Sequence, residues 1–166
     1  MRNVTLIGMP GSGKSTVGVL LAKELGFSFV DTDLLIQRQE GDLLQNVLDR
    51  LGNARFLDTE AEVIAALDCT NTVIAPGGSA VLRDLGARRL KELGPVIYLK
   101  LPCDVLEKRL GNLATRGVTL EPGQTLQDLY DFREPYYEKY ADAIVDADHP
   151  EIEGTVRAVV EALRLL

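Results

Sequence analysis

Histidine occurs once in the 166 residues, at His149, and cysteine only at Cys69 and Cys103. The two cysteines have no metal-ligand spacing, so neither a zinc site nor a disulfide framework is expected, and both thiols are expected to be free and buried. No run of lysine or arginine appears, and the formal net charge is −7. That balance argues against a general nucleic-acid binder, which needs basic side chains along the phosphate backbone. Long hydrophobic runs are also missing. The chain enters Val4-Thr5-Leu6-Ile7 almost at once and then meets glycines, too short a stretch for a signal peptide or a membrane span. A cytoplasmic protein with no membrane or nucleic-acid partner is expected. Repeats, low-complexity tracts and Pro/Gly/Ser-rich linkers are absent as well.

What is present is an ordinary globular balance, 46% hydrophobic and 26% charged. A chain of this size buries roughly 70% of the surface its unfolded form exposes, enough for one complete core. A single domain over residues 1–166, acting as a monomer, is the expectation. Segments 4–7, 27–30, 72–75, 96–99 and 143–145 are short, apolar and rich in β-branched residues, and they read as buried strands. Helix-like stretches cover 14–25, 34–51, 59–67, 82–92, 103–110, 125–140 and 152–165, the second of them interrupted by Gly41 and ended by Gly52-Asn53. Alternating strands and helices predict an α/β fold with a mostly parallel sheet covered on both faces. Residues 111–124 carry Gly111, Asn112, Gly117, Pro122 and Gly123 around Arg116, the composition of a mobile loop, although a plain surface connection has the same look.

Gly8-Met9-Pro10-Gly11-Ser12-Gly13-Lys14-Ser15 fits G-x-x-x-x-G-K-[ST] and stands between a predicted strand and a predicted helix. In such a loop the glycines let successive backbone N–H groups converge on phosphate, and the helix N-terminus adds partial positive charge. Lys14 is expected to bridge β- and γ-phosphate oxygens of ATP, and the Ser15 hydroxyl to ligate Mg²⁺. Asp31-Thr32-Asp33 follows the second strand, on the same sheet edge. Asp31 is a candidate for the metal and Asp33 for the acceptor hydroxyl proton, while a pair of helix caps would account for them too. Pro76-Gly77-Gly78-Ser79 follows the third strand and permits close approach of a ligand to the backbone, or is simply a turn. Arg109, Arg116 and Arg133 offer planar forks for phosphate or carboxylate oxygens, or are surface arginines. Tyr136, Tyr137 and Tyr140 read as packing residues.

Together these pieces resemble the shikimate kinase family of P-loop kinases over nearly the whole chain. The likeness is carried by residues 8–18, Asp31-Thr32-Asp33, Pro76-Gly77-Gly78, Arg116 and Arg133-Glu134-Pro135-Tyr136-Tyr137. It implies a three-layer fold with a five-stranded parallel sheet in the order 2-3-1-4-5, a lid at about 111–124 closing over ATP, and an acceptor region at about 33–67. It also implies transfer of the γ-phosphoryl group to a hydroxyl of shikimate, a step of aromatic amino acid biosynthesis. By the same resemblance Lys14, Asp33 and Arg116 are catalytic, and Gly11, Ser12, Gly13, Lys14, Ser15, Thr16, Arg109 and Arg116 hold nucleotide. Asp33, Gly77, Gly78 and Arg133 hold the acceptor, and Ser15 and Asp31 hold Mg²⁺. Three positions depart from the family. Leu57 stands where an arginine usually pairs with the shikimate carboxylate, Ser79 replaces a third glycine, and Arg116-Gly117 replaces a common arginine-proline pair. Arg55 lies two residues before Leu57, an offset that turns it to a different helix face. The departure at Leu57 leaves a related polyol or sugar acid, such as gluconate, as the competing acceptor. A non-catalytic ATP-binding regulator is the competing reading of a different class.

Overall fold

The computed structural model describes residues 2–111 and 121–166. Its five strands are β1 (Val4–Ile7), β2 (Ser28–Asp31), β3 (Thr72–Ala75), β4 (Val96–Lys100) and β5 (Ala143–Asp146). They pair in parallel throughout, in the order β2-β3-β1-β4-β5. The eight α-helices described are α1 (Lys14–Leu25), α2 (Thr32–Glu40), α3 (Leu44–Leu51), α4 (Asn53–Ala65), α5 (Asp84–Leu93), α6 (Cys103–Leu110), α7 (Leu126–Tyr140) and α8 (Ile152–Arg164). The expected α/β architecture and strand order are therefore observed.

The central strands β1 and β3 are buried at every position, as continuous β-branched runs must be when helices cover both sheet faces. Register brings the strand ends level: Asp31 pairs with Ala75, and Ile7 with Tyr98. From β1 the chain steps out to β2 at one edge and then returns across the sheet through β3, β4 and β5, so the connection after β1 leaves in the opposite direction from those after its neighbours β3 and β4. Open α/β sheets bind ligands beyond the carboxyl ends of the strands at such a point.

Two hydrophobic clusters hold the molecule together. The larger joins the sheet to its helices and includes Leu6, Leu21, Ile74, Ile97 and Val159. The smaller consists of Ile36, Val47, Leu48, Phe56 and Val63, and packs α2, α3 and α4 together.

Some element limits differ from expectation. Strand β2 runs to Asp31 rather than ending at Val30, and α2 starts at once with Thr32. Helix α4 begins at Asn53, six residues before the expected start, because Gly52 breaks the chain (φ 76°, ψ 166°) for one residue only and Phe56 then buries in the smaller cluster. Thr125 caps α7 in a reciprocal box with Asp128. Both cysteines are free, as expected, but half-buried rather than buried.

Candidate active site

The phosphate loop leaves β1 at Ile7 and enters α1 at Lys14. Its last glycine, Gly13, caps the helix with φ 93°, a conformation that strains any residue with a Cβ. The Lys14 ammonium donates to the carbonyl oxygens of Gly8 at 2.8 Å and Met9 at 2.9 Å, so it lies over the loop rather than in solvent. Burial pushes its pKa down to about 8; Arg133 adds to this, while Asp33, Asp31 and Glu60 pull it back up.

Asp31 is the N-cap of α2 and accepts from the Asp33 backbone N–H at 2.9 Å. Its other oxygen accepts from the Ser15 hydroxyl at 3.2 Å. Capping and site geometry thus coincide in Asp31, and the capping explanation does not extend to the Asp33 side chain. Asp33 faces the cleft, where burial first and the neighbouring Asp31 charge second push its pKa up to about 6, against the pull of Lys14.

One cleft of about 440 Å³ gathers these groups. Pro10, Gly11, Gly13, Lys14, Ser15 and Thr16 line one side, with Arg109 beside them. Asp31, Asp33, Leu44, Phe56, Glu60, Ala75, Pro76, Gly77, Gly78, Ser79 and Arg133 form the rest. Arg109 is exposed at the end of α6, its guanidinium 3.4 Å from the Gly11 carbonyl. Ser12 is the one expected nucleotide residue within the described residues that does not line the cleft. Its side chain is buried beneath the loop, and its N–H donates to the Met9 carbonyl at 3.1 Å. Arg116 lies outside the described residues.

Gly77 and Gly78 owe their identity to crowding, since neither has positive φ. A Cβ on Gly77 would come within 2.8 Å of both Asp33 Oδ1 and Glu60 Oε2, and one on Gly78 within 2.9 Å of Pro10 Cδ and 3.0 Å of Arg133 Nη1. The Gly78 carbonyl accepts from the Tyr137 hydroxyl at 2.6 Å, and the Tyr137 ring packs 5.0 Å from that of Tyr98. Tyr137 therefore braces the glycine turn from beneath, a role beyond the packing expected of it. Arg133 is only 2% exposed. It falls on the buried stripe of α7 with Leu126, Leu129, Tyr130 and Tyr137, so the core sets its direction.

Sequence reasoning passed over Glu60. It occupies the buried face of α4 between Phe56 and Ile64, at the four-residue spacing of an apolar stripe. That spacing was the available signal, a carboxylate where the helix should carry leucine. Glu60 is 1% exposed, and its Oε1 accepts from the Ser79 hydroxyl at 2.7 Å. Burial pushes its pKa up to about 7, opposed by the Ser79 bond and by the charges of Arg133 and Lys14. Leu57 is half-buried and Arg55 exposed, and neither lines the cleft.

Chemically, the arrangement sets a cation and a helix N-terminus at one end, a hydroxyl and a carboxylate suited to a hard cation beside them, and two further carboxylates, Asp33 and Glu60, that share the cleft with the buried Arg133. The shikimate kinase family matches residues 10–164. The shikimate kinase of Pseudomonas paraeruginosa is 37% identical over 169 residues, covering 100% of this chain and 98% of that protein. That of Thermodesulfovibrio yellowstonii is 38% identical, covering 97% and 94%. Among solved structures, shikimate kinase from Acinetobacter baumannii in complex with shikimate superposes with a TM-score of 0.90 at 28% identity, covering 99% of this chain and 94% of that one. A gluconokinase from Sinorhizobium meliloti, at 19% identity and TM-score 0.55, covers 99% of this chain and 93% of its own, and shares the fold alone. With a family match across nearly its whole length and full-length relatives above one-third identity, the chain belongs to the shikimate kinase family.

Proposed function

We propose that this protein is an ATP-dependent kinase that transfers the γ-phosphoryl group to a hydroxyl of shikimate. The observation that carries the reading is the joining of a phosphate loop and a separate carboxylate, Asp33, in one cleft with a buried arginine opposite. A nucleotide-binding regulator has no use for the second and third of these.

In this reading the backbone N–H groups around Gly11 and Gly13 hold the β-phosphate, and Lys14 follows the γ-phosphoryl oxygens as charge moves onto them. Thr16 and Arg109 complete the nucleotide side. Ser15 and Asp31, already 3.2 Å apart, are the residues that would hold Mg²⁺. Both are hard oxygen donors, and Mg²⁺ keeps its remaining positions for phosphates and water. Bound there, the ion would offset phosphate charge. Asp33 orients the acceptor hydroxyl and takes its proton as the oxygen attacks; a pKa near 6 leaves it ionised at neutral pH yet basic enough to act. Arg133 and the Gly77-Gly78 backbone grip the acceptor, with Tyr137 holding the turn still. Arg116 is assigned to the transferring phosphoryl on sequence grounds, its residues being outside those described.

We extend the proposal to a single catalytic domain over residues 1–166, with the lid near 111–124, working as a cytoplasmic monomer. Among the described residues no helix is long and apolar enough to cross a membrane. The test is ADP release with Mg²⁺ and ATP, in the presence and absence of shikimate. A kinase releases ADP only with the acceptor and yields phosphorylated shikimate. Slow hydrolysis indifferent to shikimate would point to a regulator instead, and turnover only with gluconate or another polyol would move the substrate.

A further inference from the structure

Ser79 stands where the glycine turn passes into a short 3-10 helix, Ala80–Leu82. Its backbone lies in the ordinary right-handed region (φ −92°, ψ −1°). The turn around it closes on its own backbone, the Ala80 N–H donating to the Gly77 carbonyl at 3.1 Å and the Leu82 N–H to the Ser79 carbonyl at 3.0 Å. No side chain is needed here to make the turn. Yet a hydroxyl is present on a residue only 5% exposed, where a polar group is costly unless bonded. It donates to Glu60 Oε1 at 2.7 Å, across the gap to α4. Glu60 Oε2 accepts no hydrogen bond among the described residues, so the Ser79 hydroxyl is what holds this carboxylate.

The bond ties the turn to α4, as the Tyr137 hydroxyl ties it to α7 through the Gly78 carbonyl. Charge of both signs lies between the two ties. A Cβ at Gly77 would stand 2.8 Å from Glu60 Oε2 and one at Gly78 3.0 Å from Arg133 Nη1, so the anion and the buried cation flank the same pair of glycines. The other groups facing Glu60 are Asp33 from α2, Lys14 from α1 and Tyr137 from α7, whose hydroxyl stays neutral with its pKa pushed up to about 12 by burial. Residues 77–82 bring no ionisable group. On α4 itself Asp58 pairs with Arg83 at 2.9 Å, and Glu62 is exposed. A hydroxyl donating to a carboxylate favours its charged form, whereas burial opposes that form and pushes Glu60 up to about 7. The charge of Glu60 is thus balanced near neutral pH, and Ser79 supports it without bringing a charge of its own.

From this geometry we propose that Ser79 is a positioning residue of the acceptor wall: its hydroxyl fixes the Glu60 carboxylate against the glycine turn as the standing counter-charge of Arg133. The hydroxyl is engaged by Glu60, so Ser79 acts through that residue rather than on the acceptor. Without it Glu60 is neutral at neutral pH, and Arg133 loses part of the opposing charge that aligns it. The consequence is limited to a few-fold, because the buried stripe of α7 still directs Arg133 and Asp33 still sets the acid limb of the reaction. The effect on turnover rests on the kinase reading above; the effect on Glu60 does not.

The test is Ser79→Ala and Ser79→Gly, both of which delete the hydroxyl, with folding checked by thermal melting and ATP affinity. The direct readout is the side-chain carboxyl carbon of Glu60, followed by NMR in protein labelled with carbon-13 glutamate and identified by its loss in Glu60→Gln. In both variants its titration midpoint should move up by about one pH unit, the scale of a hydrogen bond to a charged group. The second readout is the ratio of acceptor KM between variant and wild type, in which the titrations of Asp33 and Lys14 cancel. That ratio should be about 2- to 5-fold at pH 7 and fall to within about 1.5-fold by pH 9, where Glu60 is largely ionised in both proteins, with the ATP KM unchanged. A midpoint that stays put in a folded Ser79→Ala, or a KM ratio equal at both pH values, overturns the inference and leaves the kinase reading intact. A midpoint that moves in Ser79→Gly alone would trace the change to backbone freedom and overturns it too. A midpoint that moves in both variants of a protein with no turnover on shikimate counts against the kinase reading, and not against the hold of Ser79 on Glu60.

Discussion

The two walls of the cleft are built in opposite ways. Apart from Arg109, the nucleotide wall is one unbroken run, residues 8–16, sprung between a buried strand and the helix it feeds, and anchored on the larger core. The acceptor wall is gathered from α2, α4, the turn after β3 and α7, from Asp33 to Arg133, with α2 and α4 packed on a separate five-residue cluster. In the proposed function the first wall holds its ligand largely through backbone N–H groups, with the Lys14, Ser15 and Arg109 side chains beside them. The second does so through side chains, each aimed by its own helix. Substitutions should therefore do different damage on the two sides.

The largest effect is expected at Lys14, where nucleotide binding and phosphoryl transfer coincide. Lys14→Ala should lower kcat by roughly 10²–10³-fold and raise the ATP KM as well, measured by steady-state ADP release. A variant with normal ATP KM would separate functions that the geometry joins.

Next comes the acid limb of the pH profile, which reports on the acceptor wall. Asp33 must be ionised to take a proton, and its pKa stands raised to about 6 by burial and by Asp31. The kcat/KM for the acceptor should fall about tenfold for each pH unit below about 6. Stability moves the other way. The folded state binds this proton more tightly than the unfolded chain, whose value is near 3.8, so the Asp33 contribution is fully present below that pH and lost as pH rises through about 6. A kcat/KM profile that stays flat down to pH 5 would remove Asp33 as the titrating base.

The smallest effect is expected beneath the glycine turn. Tyr137→Phe deletes the hydroxyl's 2.6 Å bond to the Gly78 carbonyl together with its weaker contact to Met9 Sδ at 3.8 Å and its interaction with the Arg133 side chain. It should raise the acceptor KM by about 2- to 10-fold, the range of a neutral hydrogen bond, and leave the ATP KM alone. Equal effects on both substrates would show that the two walls are not independent.

The same contrast governs what the sequence made legible. The five strands, the parallel sheet and the phosphate loop follow from contiguous patterns, β-branched runs and glycines before Lys14-Ser15, because their causes are local. Arg133 and Asp33 were recoverable because each sits in a short motif, but their meeting across the cleft depends on the register that sets Asp31 level with Ala75. Glu60 was not singled out, and Tyr137 was read only as packing. Glu60 looks like one more charge on a surface helix until Gly52 is seen to start α4 early and turn Phe56, Glu60 and Ile64 inward. Tyr137 looks like packing until its hydroxyl is found on a backbone carbonyl 59 residues away in sequence. Both are products of tertiary placement, which periodicity alone does not report.

The central claim is that nucleotide binding and acceptor chemistry reside on separate walls and meet at Asp33. Asp33→Asn tests it directly, with ATP affinity by calorimetry and turnover measured on the same preparation. The substitution keeps size and leaves the Asp31 cap in place. ATP affinity should barely change, while turnover falls by about 10²–10⁴-fold, the range for loss of a general base. A folded variant that binds ATP normally and still phosphorylates its acceptor at the wild-type rate would contradict the account.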